Sequence, residues 1–484
     1  MKYSKVYSGQ NLFLSSQLVT IETDIANGLH SFSIVGLGDK AVDEAKDRVS
    51  AAIKNIGYVS PKQKNQKVVV SLAPADTRKE GSHFDLGIAI GYLIASGEIA
   101  VTNKKTMYLG ELSLDGSLRR VFGVLPIVQK AKDIGFDEII VPYINAEEAA
   151  IIDGIHIIPA HHLMEVIDHI TKKNCIQPQQ HTKIVYTTPK FDIDMQDIRG
   201  QENAKRGIEI AAAGRHNIAL FGPPGTGKTM LAKALWGILP PLTAGEVIEV
   251  TSIHSVVGML SKKAITHPPF RNPHHTSSYA SMVGGGTSPR PGEITLAHRG
   301  VLFLDEFPEF DKMVIESLRQ PLEEKKILIA RAKSAVEFPA DCILVATMNP
   351  CPCGYIGSTQ KDCSCTPAEI KMYQKKLSGP IVDRIDMWIE VSTVDYEKLG
   401  KGVLSEATEI VAKRVQGARS YTEKSPELTS EVEKVLATSA KRLKLSARAY
   451  YKTIRIAQTI AHLDNRNNIE IKDILEALQY RPKV

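Results

Sequence analysis

Two kinds of apolar pattern alternate over the first third of the chain. Short apolar runs, Leu18-Val19-Thr20-Ile21-Glu22 and Val68-Val69-Val70-Ser71-Leu72, have the length and β-branched content of strands. The stretches Ala41 to Ile56 and Phe84 to Ser96 instead place apolar residues at helical spacing. This alternation predicts an α/β domain over residues 1–171. The next stretch, Lys172-Lys173-Asn174 through Gln177-Pro178-Gln179-Gln180-His181, is polar and without period, which predicts a linker over 172–190. A second α/β domain is expected from Phe191 to residue 400. Its runs Ile218-Ala219-Leu220, Val301-Leu302-Phe303-Leu304 and Cys342-Ile343-Leu344-Val345-Ala346-Thr347 suit parallel strands buried on both faces. Residues 401–484 read as wholly helical, ending with Ile469 to Leu478. No internal repeat and no long low-complexity segment interrupts this order.

Bulk properties narrow the class. A chain of 484 residues is too long for one core, and 43% hydrophobic with 24% charged residues is ordinary for a soluble globular protein. No run approaches the ~18 apolar residues of a membrane span. The start, Met1-Lys2-Tyr3-Ser4-Lys5, has no apolar signal core, so a cytoplasmic location is expected and no membrane partner. The net charge of +6 permits nucleic-acid binding without arguing for it, because a local patch matters more than the total.

The chemistry begins after the first strand of the second domain. Phe221-Gly222-Pro223-Pro224-Gly225-Thr226-Gly227-Lys228-Thr229 lies between an apolar run and the helical pattern Met230 to Leu235. Strand, glycine-rich loop and helix are the context of a phosphate-binding P-loop. Gly222, Gly225 and Gly227 let backbone N–H groups turn toward a β-phosphate, and the helix start adds partial positive charge. Lys228 supplies a cation for the β/γ-phosphates, and the Thr229 hydroxyl suits Mg²⁺. The run Val301–Leu304 ends in Asp305-Glu306. Asp305 can hold Mg²⁺ through water, and Glu306 can polarise the attacking water. The third run ends in Met348-Asn349-Pro350, where the Asn349 amide can sense the γ-phosphate. ATP and Mg²⁺ are therefore the expected cofactors.

These motifs in this order resemble AAA+ ATPases, which implies a P-loop core with a helical lid. The resemblance assigns further roles. Gly200-Gln201 would line the adenine pocket. Asp383-Arg384-Ile385-Asp386 looks like the arginine-finger segment, with Arg384 reaching a neighbouring subunit's γ-phosphate. Ser446-Ala447-Arg448 looks like sensor 2, with Arg448 contacting the nucleotide of its own subunit.

About seventy residues separate the P-loop helix from Asp305, far more than a plain core needs. They include Phe270-Arg271-Asn272-Pro273-His274-His275-Thr276, Gly284-Gly285-Gly286-Thr287 and Ala297-His298-Arg299-Gly300. An insertion here resembles the helix-2 insert clade, which contains magnesium chelatase subunits and replicative-type helicases. His274 and His275, adjacent in a loop, are expected to project apart and to hydrogen-bond or touch polynucleotide rather than bind metal. Lys326 to Lys333 followed by Ala335 to Phe338 suggests a hairpin, which in that clade points into a ring's pore. Arg331 and Lys333 near its tip could meet phosphates.

Four of the six cysteines fall in Cys351-Pro352-Cys353 and Cys363-Ser364-Cys365, nine residues apart. Four thiolates so close can close a tetrahedral structural Zn²⁺ site. Free thiols in a loop or an iron–sulfur cluster remain alternatives.

The front domain carries Ala73 to Ser82, then Leu86-Gly87-Ile88-Ala89-Ile90, then Tyr108 to Gly116 and Pro126-Ile127. This order looks like the proteolytic domain of Lon, whose fold is similar to ribosomal protein S5. Lon needs a serine activated by a lysine, and those positions fall on Asp85 and Leu125, so the dyad is absent. A displaced pair, Ser82 and Lys130, is the alternative. The whole combination resembles the YifB/ComM-type magnesium-chelatase-like ATPases of bacteria. That resemblance implies homo-hexameric rings that bind single-stranded or branched DNA and hydrolyse ATP, with branch migration during recombination and natural transformation. Lys441, Arg442, Lys444, Arg448, Lys452 and Arg455, interleaved with Tyr450 and Tyr451, are compatible with DNA. Two other readings stand beside it: a metal-chelatase motor subunit, whose layout the front domain and cysteines do not resemble, and a Lon-like protease.

Overall fold

The computed structural model describes residues 2–101, 105–187, 191–260, 264–286, 290–331, 334–357, 361–392, 406–421 and 428–482. Its chain forms two compact units, one of residues 1–185 with 247–264 and the other of 186–246 with 265–484.

The first unit is built on a seven-stranded sheet. Its order is Ser31–Val35, Gln66–Ala73, Ser15–Asn27, Tyr3–Leu12, Thr106–Tyr108, Glu138–Pro142 and His156–Ala160. The long hairpin Tyr3–Leu12/Ser15–Asn27 is antiparallel, whereas Thr106–Tyr108, Glu138–Pro142 and His156–Ala160 run parallel. Strand residues alternate between faces, so neighbours enter different cores. Ile140 and Ile158 join one cluster with helices Lys40–Asn55 and Asp85–Ala95; Ile139, Val141 and Ile157 join another with helix Val124–Ile134. Lys40–Asn55 starts where Asp39 caps the Val42 N–H at 2.9 Å, and it buries Val42, Ala45, Val49, Ala52 and Ile53 on one stripe. The unit extends past the expected boundary at 171. Gln179 N–H donates to Ile157 O at 2.8 Å and Thr182 N–H to Ala150 O at 2.9 Å, so the expected linker lies along this unit.

The second unit holds a parallel five-stranded sheet ordered Phe270–Arg271, Val301–Leu304, Ile343–Met348, Ile218–Phe221 and Met387–Glu390. Apart from the buried Thr347, its middle strands are apolar and buried on both faces, as their continuous runs predict. The register pairs Phe221 with Met348 and Leu304 with Ala346, so Gly222, Asp305 and Asn349 emerge at the same edge. Helices Thr408–Arg419, Ser430–Arg442, Ala447–Leu463 and Ile471–Gln479 share one core with this sheet, through Val411, Leu436, Ile456 and Ile474 against Ile208, Leu231 and Val345. The helical region expected over 401–484 thus packs, in its described residues, within the same unit as the sheet. The expected hairpin is present as Lys326–Arg331 against Ser334–Pro339. Lys333 at its tip lies outside the described residues, as do Thr287 and residue 401. No described helix is long and apolar enough to cross a membrane.

Candidate nucleotide site

The P-loop takes the backbone that its glycines permit. Gly225 and Gly227 have φ of 78° and 88°, the left-handed region that favours glycine. Gly222 is required for a different reason: a Cβ there would stand 2.1 Å from the Val391 carbonyl oxygen. Helix Lys228–Gly237 starts directly after, so its free N–H groups face the loop. The Lys228 ammonium donates to Gly222 O at 2.7 Å, Pro223 O at 2.8 Å and Asn349 Oδ1 at 3.3 Å. Burial lowers its pKa, and the charge of Asp305 opposes that shift. Pro224 and Thr226 shape the loop, the latter donating to Pro223 O at 2.9 Å.

The carboxylates meet the loop across the sheet edge. Thr229 Oγ1 donates to Asp305 Oδ2 at 3.3 Å, and the buried Thr347 hydroxyl donates to Asp305 Oδ1. Thr347 Oγ1 also accepts from Glu306 N–H at 3.3 Å. Glu306 sits at φ 53°, ψ 46°, a conformation uncommon for a non-glycine residue. Its exposed carboxylate lies 3.6 Å from His275 Nδ1. Contrary to expectation, His274 and His275 do not project apart: their rings lie 4.1 Å from each other. The loop that carries them is anchored by Arg271, whose guanidinium makes two bonds to Glu293, at 2.6 and 2.8 Å.

Gln201 caps helix Glu202–Gly214 in left-handed geometry, and its side chain donates to Ser392 O. The two expected arginines come together. Arg384 Nη2 and Arg448 Nη2 donate to the two carboxylate oxygens of Glu323. A finger for a neighbour and a sensor for its own subunit were expected at separate phosphates; the structure brings both to one spot.

Directly after Asn349, the four cysteines converge. Cys351, Cys353, Cys363 and Cys365 have sulfurs within 4.8 Å of one another, the single such cluster among the described residues. Three pairs stand at 3.4, 3.7 and 3.5 Å. A tetrahedron with Zn–S bonds of ~2.3 Å has edges of about 3.8 Å, so this donor set fits Zn²⁺. The backbone N–H of Tyr355 helps draw the Cys353 thiol down to about 5. The turn at Gly354 abuts the P-loop, where a Cβ would lie 2.8 Å from Pro224 Cδ.

Comparison with known proteins places this site in a family. The model described as magnesium chelatase, subunit ChlI, matches residues 194–399, and its C-terminal companion matches 403–481. The competence protein ComM of Haemophilus influenzae is 40% identical over 511 residues, covering 100% of this chain and 98% of that protein. The YifB protein of Escherichia coli is 40% identical over 502 residues, covering 99% and 97%. The chain belongs to the YifB/ComM magnesium-chelatase-like family. It therefore has the AAA+-type ATPase of that family, for which Gly222 to Thr229 and Asp305 are the residues that would hold ATP and Mg²⁺.

The front unit of this YifB/ComM-type chain needs one correction. Set apart from the chelatase subunit on sequence grounds, it is matched over 21–145 by a model described as subunit ChlI of Mg-chelatase. The chain is also 25% identical over 178 residues to Lon protease 2 of Bacillus subtilis, covering 34% of this chain and 32% of that protein. At the position where the Lon-like order would expect the serine, Asp85 is buried in a two-bond ion pair with Arg48, at 2.7 and 3.0 Å, and accepts from Leu112 N–H at 3.2 Å. Leu125 is core. Ser82 donates to Glu111, and Lys130 is exposed on helix Val124–Ile134, so no displaced pair is brought together. Sequence reasoning missed Thr347, Glu323 and the approach of His275 to Glu306. A hydroxyl at the end of an apolar strand beside Asp305 was the one available signal, for Thr347.

Proposed function

We propose that this chain is an ATP-dependent DNA motor, a homo-hexameric branch-migration helicase of DNA recombination and natural transformation. One conjunction carries the reading. A hydrolysis set of Lys228, Thr229, Asp305, Glu306 and Asn349 at one sheet edge occurs in a chain alike over its whole length to a protein named for competence. The P-loop would hold ATP, whose terminal phosphoryl group is transferred to water, and Thr229 and Asp305 would hold a Mg²⁺ that neutralises charge on the phosphates. Glu306 orients and deprotonates water, while Lys228 and Asn349 hold the terminal phosphate. The DNA, single-stranded or branched, is met by the exposed Lys441, Arg442 and Arg455 on helices and Lys444 in the turn between them, with Tyr451 67% exposed for stacking. Tyr450 packs on the core and Lys452 is paired with Asp386 at 2.9 Å, so this set is narrower than the sequence pattern. Cys351, Cys353, Cys363 and Cys365 would hold a structural Zn²⁺ that ties down the turn behind Asn349.

At low salt and with ATP, the wild-type chain should unwind forked duplexes and four-way junctions. Lys228→Ala should bind the same DNA without moving it. Movement that persists in the variant, or no DNA binding by wild type, overturns the reading. The matched chelatase models favour a second reading, a motor that drives Mg²⁺ into a porphyrin. Porphyrin-stimulated ATP hydrolysis without DNA unwinding would select it.

A further inference from the structure

Glu323 holds two guanidinium groups at once, and the surrounding bonds show that the arrangement is built. Arg384 is fixed by its other nitrogens, Nε to Arg319 O at 3.1 Å and Nη1 to Pro380 O at 2.8 Å, which leaves Nη2 to face Glu323. Arg448 opens helix Ala447–Leu463, whose cap Ser446 accepts from Ala449 N–H at 3.2 Å. One turn later, Lys452 ties this helix to the Arg384 segment, reaching Asp386 at 2.9 Å, Asp383 O at 2.7 Å and Ile385 O at 3.2 Å. The Lys452 brace therefore sets Arg384 and Arg448 side by side. Glu323 itself is nearly half exposed, and the Arg384 hydrogen bond keeps its carboxyl below the usual range.

Charge and geometry say what this pair is suited to. Two guanidiniums against one carboxylate leave a local excess of one positive charge. Planar forks of this kind match a carboxylate or a phosphate, and the phosphate carries more charge and more acceptor oxygens. An exposed ion pair is weak and exchangeable.

We infer that Glu323 stands in for a phosphoryl group: Arg384 and Arg448 form one fork for the terminal phosphate of a neighbouring subunit's nucleotide, and Glu323 holds that fork ready until the phosphate displaces it. The inference rests on the ring-ATPase reading above. It makes Glu323 a positioning residue and an internal competitor of ATP, and it assigns both arginines to the same phosphate.

The test is steady-state ATP hydrolysis by the intact chain with Glu323→Gln, which keeps shape and removes charge. Removing a competitor worth two weak exposed pairs should lower the KM for ATP roughly three- to tenfold, with kcat kept within about twofold. Glu323→Asp, which restores the charge, should return KM toward wild type. In an Arg384→Ala, Arg448→Ala background, Glu323→Gln should no longer change the binding of a fluorescent ATP analogue. An unchanged KM at an unchanged melting temperature, or an effect that survives loss of both arginines, overturns the inference. Two controls separate that failure from failure of the ring reading. Wild-type activity should rise more than linearly with protein concentration, and Arg384→Ala should lower kcat at least tenfold, a floor well below the ~10³–10⁵-fold that phosphate-directed arginines contribute. If these hold and the KM does not move, only the role of Glu323 falls; if they fail, the ring reading falls and the inference with it.

Discussion

Asp305 is useful only if its oxygens face the P-loop, and a single hydroxyl fixes them. Thr347 lies in the middle strand next to Val301–Leu304, is fully buried, donates to Asp305 Oδ1 and accepts from the Glu306 N–H. It therefore aims the magnesium carboxylate and the base together. Thr347→Val keeps the shape and removes both bonds. A hydrogen bond to a charged group contributes about 1.5–3 kcal/mol, so kcat/KM for ATP should fall roughly ten- to hundredfold. ATP-hydrolysis kinetics at saturating Mg²⁺ check this, and a wild-type value would show that Asp305 is positioned without it. Lys228, Thr229 and Asp305 were legible in the sequence because their motif is local, a strand followed at once by the residues it presents. Thr347 was not, because its partner is distant in sequence and a threonine in an apolar strand is ordinary β-former content. Glu323 was hidden for a similar reason: it is the next-to-last residue of a short helix, beside Glu324, and nothing local marks it.

At the scale of the element, the cysteine knuckle joins two functions in one turn. Its first cysteine follows Asn349 by two residues, and Gly354, at φ 86°, packs against Pro224 of the P-loop. A metal that ties Cys351 and Cys353 to Cys363 and Cys365 would thus fix the strand end that presents Asn349. Metal analysis of the purified chain should find one Zn²⁺ per chain. Stripping it with a chelator, or Cys353→Ser with Cys365→Ser, should lower the melting temperature and weaken ATP binding about tenfold, while leaving the front unit folded. Tenfold corresponds to about 1.4 kcal/mol, a modest fraction of what structural zinc contributes. No bound metal in protein purified with zinc present, or unchanged ATP affinity after stripping, would refute the coupling. The cluster was legible, because closely spaced cysteines are a compositional signal. Its contact with Pro224 was not, since packing of one loop on another leaves no period. The hairpin Lys326–Arg331/Ser334–Pro339 was legible as two short strand-like runs in succession, and the parallel sheet from its continuous apolar runs.

Over the whole molecule, the sequence reads as domains in linear order, and the structure departs from that at one segment. The chain leaves the ATPase unit after Glu246, contributes Val247–Ala264 to the front unit, and returns at Ile265. The helix Ala244–Val256 has its apolar residues spread around the whole circumference, so its sequence names neither a buried face nor a partner. Within the front unit, Ile248 and Ala264 pack on the core of Leu125, Val128 and Ile139. Gly123 N–H donates to Ser255 O at 3.1 Å, Arg120 Nη2 to Leu260 O at 2.7 Å, and Ser255 Oγ to the buried Glu148. Burial raises the Glu148 pKa, and the Ser255 hydroxyl is the strongest influence holding it down. Without the segment, that carboxylate loses a donor and the apolar face of helix Val124–Ile134 meets water. Residues 1–185 alone should therefore be less stable than the same residues joined by a flexible linker to 240–264. Three hydrogen bonds at about 1 kcal/mol each put the difference near 3 kcal/mol, before any apolar burial is added. Urea titrations of the two proteins measure it directly. Equal midpoints would mean that the segment merely rests on the front unit, whereas a large gap means that the unit is complete only when the ATPase insertion supplies its last helix.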